Sequence, residues 1–137
     1  MAIQLSGVVR NARLDQIETT VSTIPVLRIR TGAAPASCGA ADSGTILASV
    51  NLPSDWLVAA TNGSITKNGT WQTTSAENTG GSGHFRIYAS NGTTTHLQGT
   101  VTATGGGGDM TLDSSSANIA AGQTVTINTF ALTDGNA

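Results

Sequence analysis

The side chains able to do chemistry are few and scattered along the 137 residues. Cys38, the single cysteine, sits in Pro35-Ala36-Ser37-Cys38-Gly39 with no base at a spacing that would activate a thiolate, so it reads as a small loop or packing residue. His84 and His96 fall on the two strands of an expected hairpin, with His84 opposite Gln98. Two histidines without a carboxylate at ligand spacing do not make a zinc site. Asp109 and Asp113 lie on one face of a short strand, while Asp55 and Glu77 belong to loops. Glycoside hydrolysis needs two carboxyls converging from separate positions, and nothing in this pattern brings such a pair together. Gly105 to Gly108 lacks the Gly-Lys-Ser/Thr ending of a phosphate loop. The expectation is therefore a protein that is not an enzyme, with no catalytic residue, no cofactor and no metal.

Binding is the remaining chemistry. Arginine and tryptophan are favoured at the centres of interfaces, and both occur at placed positions here. Arg28 and Arg30 alternate with Leu27 and Ile29, and Arg86 alternates with Phe85 and Ile87, so all three arginines are expected to point outward. Arg10 and Arg13 fall on the polar side of an N-terminal helix. Trp56 follows a Pro-Ser-Asp break and is the better exposed candidate, whereas Trp71 is expected in the core. The candidate partner-binding set is Arg10, Arg13, Arg28, Arg30, Trp56 and Arg86.

The elements that must position these residues follow from the pattern of apolar side chains. Leu5, Val8, Val9, Ala12, Ile17 and Val21 recur at three-to-four spacing, which predicts a helix over about residues 6–20, capped by Ser6 and ended before Pro25. From Pro25 onward the period becomes two. Strands are predicted at 26–30 and 45–52, with a small-residue loop over 31–42 between them. Pro53 to Trp56 reads as a break followed by one helical turn capped by Ser54. Short strands flank Lys67 and Trp71, and 75–83 is a loop.

The strongest local signal is a hairpin built on 83–89 and 93–104 around Asn91-Gly92. A plain two-residue turn would set Ile87 against His96, which a buried face forbids. A three-residue loop, with Gly92 in the left-handed region, instead places Phe85 opposite Leu97 and Arg86 opposite His96. Gly105 to Gly108 is expected to form a mobile loop with no packing role, 110–112 a short strand, and 123–133 the last strand. The last strand changes phase between Val125/Ile127 and Phe130/Leu132, which requires burial on both faces or a bulge near Asn128. The fold class expected is all-β: one β-sandwich or jelly-roll-like domain of about seven or eight short antiparallel strands. Residues 1–24 form a helix packed on the core, and 25–137 form the sandwich.

Composition narrows the partners. Glycine, alanine, serine and threonine fill just over half the chain, only 10% of residues are charged, and the net charge is −2. No basic footprint for nucleic acid is present, and no apolar run approaches the ~18 residues of a membrane span. The first residues lack a basic, then apolar, secretory pattern. The three Asn-x-Ser/Thr sequons at Asn62, Asn68 and Asn91 then read as turn chemistry. Sheet edges are commonly protected by lysine and proline. With Lys67 as the single lysine and no proline after Pro53, the strand edges are expected to be covered by copies of the chain or by a larger partner.

Five segments together resemble small virion proteins of tailed bacteriophages and prophages, encoded among head-morphogenesis genes. They are VVRNARLDQIETT, LRIRTGAAPASC, LASVNLPSDW, GHFRIYASNGT and GTVTATGGGGDMTLD, spread between residues 8 and 113, and the resemblance they carry extends over nearly the whole chain. The resemblance implies a capsid decoration (cement) protein: a small β-sandwich or jelly-roll module bound in many copies to the major capsid protein. It implies a homo-oligomer, a dimer or trimer, on the outer surface of the virion, assembled in the bacterial host cytoplasm. It carries over no functional residues. A tail, collar or fibre-associated module is the alternative. In a glycan-binding form of it, Trp56 or Tyr88 would stack on sugar.

Overall fold

A computed structural model describes residues 3–135; the ends of the expected 1–24 and 25–137 segments, residues 1–2 and 136–137, lie outside the described residues. The chain is β-rich with one helix. In order it forms α1 (Gly7–Val21), β1 (Val26–Arg30), β2 (Ile46–Asn51), β3 (Ser64–Thr66), β4 (Gln72–Thr73), β5 (Gly80–Gly81), β6 (His84–Tyr88), β7 (Thr95–Thr102), β8 (Met110–Leu112), β9 (Asn118–Ile119) and β10 (Val125–Thr133). Several of these strands are only two or three residues long, which is why alternation in the sequence marks fewer of them.

The main sheet runs β2-β1-β6-β7-β8-β10-β3, with β4 paired to β10; β5 and β9 form a separate two-stranded sheet. The main sheet curls until β4 approaches β2. It is mixed rather than wholly antiparallel, because β7 and β8 pair in parallel through Val101↔Met110 and Thr102↔Thr111. The loop over 103–109 makes this short crossover compact. Gly106 N–H bonds Ala103 C=O, and Gly108 N–H bonds Thr102 Oγ1. A Cβ on Gly106 or Gly108 would strike the Thr102 side chain, so these two glycines are required for packing, contrary to the expectation of four idle ones.

Two register questions posed by the sequence have definite outcomes. In the β6–β7 hairpin, Phe85 faces Gly99, Arg86 faces Gln98 and Ile87 faces Leu97, two positions from the expected register. His84 accordingly lies opposite Thr100 rather than Gln98. Near the turn Ala89 N–H bonds Thr94 C=O and Tyr88 faces Thr95, which is the parity of a plain turn. An extra residue at His96 then restores the buried match of Ile87 with Leu97. The demand that apolar residues meet on the buried face is satisfied by a bulge inside the strand, not by the loop. Gly92 is left-handed as expected, at φ 69°. In β10 the register shifts between Ile127 and Thr129, so the phase change is a bulge at Asn128.

The core contains Leu27, Ile29, Leu47, Val50, Ile87 and Ile127, joined by a chain of rings. Trp56 and Trp71 are 5.9 Å apart, Trp71 and Phe130 5.2 Å, and Phe85 meets Phe130 edge-on at 5.8 Å. Trp71 is in the core as expected. Ser54 and Asp55 form a bend rather than the helical turn predicted over 53–56, and Trp56 turns inward to join these rings. Folded surface is 6780 Å², close to the ~6,600 Å² that chain mass alone predicts.

The terminal strands of the main sheet are met by the chain's own loops. Leu47 C=O of β2 accepts from Glu77 and Asn78 N–H, and Asn78 Nδ2 donates to Ile46 C=O. Thr66 C=O of β3 accepts from Val58 N–H. The chain's own loops thus meet part of the edges that the scarcity of lysine leaves unprotected.

Candidate functional site

Two polar assemblies fasten loose segments to the sheet, and all six candidate residues are tied into them or into the core. The first covers one sheet face. Arg28, Arg30, His84, Arg86 and Tyr88 all project from β1 and β6 opposite to Leu27, Ile29, Phe85 and Ile87, as alternation predicts. That face is not open to solvent, because residues 31–45 fold back over it. Arg86 is 1% exposed and uses its whole guanidinium. It donates to the carbonyls of Ser37, Cys38 and Ala40, to Gln98 Oε1, and to the Asp42 carboxylate at 2.5 Å. Asp42 also pairs with Arg30 at 2.8 Å and accepts from Tyr88 OH at 2.8 Å.

One carboxylate thus serves two buried cations and a phenol. Burial pushes the Asp42 carboxyl upward, but hydrogen bonds from Arg86 and Tyr88 and the charges of Arg30 and Arg86 outweigh it. The net pKa lies below the ordinary 3.8. Arg28 is half-buried, lies 4.8 Å over the Tyr88 ring and donates to Gly92 C=O, bracing the hairpin turn. Arg30 and Arg86 were expected to be free outward groups for a partner. They occupy the expected face but are buried there, since alternation reports which side a residue takes and not what folds over it.

Helix α1 carries the second assembly. Its buried stripe is Leu14 and Val21 with Ile17 partly buried, while Val8 is 80% and Val9 45% exposed, so the apolar face expected from Val8, Val9 and Ala12 is turned away from the core. The side that docks is partly polar. Asn11, Asp15 and Glu18, spaced along one stripe, each cap bare N–H groups of the 56–63 segment. Glu18 Oε1 accepts from Trp56 N–H at 2.7 Å and Leu57 N–H at 3.0 Å. Asp15 Oδ1 accepts from Ala60 N–H at 2.7 Å, and Asn11 Oδ1 from Gly63 N–H at 2.9 Å.

Arg10 donates to Asp134 C=O and lies over Gly63, where φ is +72° and a Cβ would strike the guanidinium. Arg13 pairs with the Asp134 carboxylate at 3.2 Å, and its side chain stays 60% exposed. On the flank facing β7 there is instead a groove of about 220 Å³, lined by Arg13, Gln16, Ile17, Thr20, His96 and Leu97 among others.

Trp56, the expected interface tryptophan, is fully buried. All five aromatic side chains are buried, so neither Trp56 nor Tyr88 offers a ring to a sugar. Of the six candidates, Arg13 alone keeps most of its side chain accessible. The acidic residues are placed separately. Asp109 Oδ2 accepts from Thr100 N–H and Thr100 Oγ1 at 2.8 Å each, fastening β7 where it leaves β6. Those Thr100 bonds, opposed by burial and aided by its own backbone N–H, lower the Asp109 pKa below 3.8. Asp113 is exposed beyond the end of β8. His84 is buried with Nδ1 at 2.9 Å from Gly32 C=O, and the Cys38 carbonyl, not its thiol, contacts Arg86. Among the described residues no group of three or more His, Cys, Asp or Glu is placed to hold a metal ion.

Sequence reasoning missed the outer face of α1. Of the five large apolar side chains exposed among the described residues, Val8 and Val9 sit in the first turn of this helix and Ile3 in the segment before it, and Val8, Val9, Ala12, Arg13 and Gln16 line a shallow surface groove. The signal was present: Leu14 shares a stripe with Arg10, Asn11, Ile17, Glu18 and Val21, and a helix that docks through capping carboxylates can leave valines outside. No helix among the described residues is long and apolar enough to cross a membrane. Searches against protein-family models, curated proteins and solved structures find no match to the chain.

Proposed function

We propose that this chain is a structural protein of a tailed-phage virion, a head decoration or cement protein bound in many copies to the major capsid protein on the outer capsid surface. The observation that supports it is the outer face of α1, where Val8 and Val9 stand in solvent beside the accessible Arg13. An exposed apolar patch with a charged rim suits a protein-binding surface. The curled sheet is read, in this proposal, as a jelly-roll-like module that presents the helix to the shell. Binding only to the assembled shell would stabilise it by mass action.

Co-sedimentation of the purified chain with capsid shells lacking it tests the reading. Retention on shells, lost in Val8→Asp, is the expected result; no retention of the folded wild-type chain overturns it. Copy number in the virion separates this role from a tail, collar or fibre role. Hundreds of copies mean decoration, and a dozen or fewer mean tail or neck.

A further inference from the structure

We infer that α1 is an exchangeable arm, able to leave its own sheet and dock in the same place on a second copy of this chain. The observation is the connection between α1 and β1. Ser22 has φ 73° and ψ −170°, a region that only glycine occupies readily. Ile24 has φ 52°, left-handed for a β-branched residue. It also directly precedes Pro25, whose ring favours an extended residue before it. Among the described residues Asn62 is the only other non-glycine with positive φ, and asparagine tolerates it.

Both strained residues are exposed, and they lie between buried Val21 and buried Pro25. The strain is therefore imposed from the two sides, by the docking of α1 and by the start of β1. A short, strained hinge is the usual setting for exchange of an element between copies. In the exchanged form the segment can run extended, as Pro25 favours. Each α1 would recover every bond it now makes: Glu18 to Trp56 and Leu57, Asp15 to Ala60, Asn11 to Gly63, and Arg10 and Arg13 to Asp134. The exchange therefore costs no contact and relieves the hinge. It does not rest on binding to a capsid.

A cross-link reads the arrangement directly. In a Cys38→Ser background, Asp15→Cys and Ala60→Cys place thiols at the α1 docking site, where Asp15 Oδ1 and Ala60 N are now 2.7 Å apart. After incubation over a range of concentrations, the sample is diluted, oxidised and run on a non-reducing gel. Exchange predicts covalent dimers that grow with incubation concentration. Ile24→Gly, which accepts the left-handed conformation without strain, should lower the dimer fraction about tenfold. Dimers formed through the outer helix face would give only intramolecular links, and that result overturns the inference. A covalent dimer fraction unchanged by Ile24→Gly overturns it too. Light scattering of the wild-type chain and Ile24→Gly gives the same comparison without the engineered thiols: a dimer population depleted in the glycine variant supports exchange, and a wild-type chain monomeric at every concentration contradicts it.

Discussion

Loop 31–45 and helix α1 are both laid over the curled sheet and fastened by charged side chains, but with opposite polarity and opposite burial. Over the loop, a buried cation gathers acceptors: Arg86 holds three carbonyls and the Asp42 carboxylate. Under the helix, half-exposed side-chain oxygens gather donors, the N–H groups of Trp56, Leu57, Ala60 and Gly63. Charge-assisted bonds inside a protein are stronger than those in contact with water, and breaking a buried set leaves uncompensated groups behind. The loop is thus locked while the helix is merely clamped. The strained connection at Ser22 and Ile24 lies on the clamped side.

The largest effect expected from this contrast is at Arg86. Arg86→Met should lower stability by about 3–5 kcal/mol, because Ser37, Cys38 and Ala40 lose their donor and Asp42 loses a partner. The shift in urea midpoint measures it. Glu18→Ala removes one acceptor from two N–H groups and should cost about 1–2 kcal/mol. Equal losses from these two variants would erase the distinction between lock and clamp.

Acid should weaken the lock in a defined window. Asp42 has a folded pKa below 3.8, so the stability it contributes is complete above that value and is lost as pH falls through the lowered one. Urea midpoints measured from pH 5 downward should fall more steeply for the wild type than for Asp42→Asn, which has no proton to take up. The smallest effect is expected on the outer helix face. Val8→Ser, at a position 80% exposed, should change stability by less than about 0.5 kcal/mol while weakening retention on shells.

Much of the fold was legible because short-range rules govern it. The helix bounds, its Ser6 cap, the inward Leu27 and Ile29, the left-handed Gly92 and the bulge at Asn128 all depend on neighbours a few residues away. The site was less legible because it depends on what covers what. Arg30 and Arg86 take the outward face that alternation assigns, yet a loop of small residues, with no hydrophobic period to mark it, closes over them. The parallel β7–β8 pair was hidden for a related reason: the glycines around it read as idle until Thr102 is seen between them. Trp56 was misplaced because the break before it signals a turn and says nothing of the direction the chain takes afterwards.

Native-state hydrogen exchange compares the two fastenings in one experiment. The amides of Trp56, Leu57, Ala60 and Gly63, with those of α1, should exchange together through an opening well below the free energy of global unfolding. The Thr31 and Ala40 amides of the locked loop should instead follow the β6 strand and exchange only on global unfolding. Clamp amides as slow as β6, or an Ala40 amide that opens before them, would contradict the assignment of the loop as fixed and the helix as releasable.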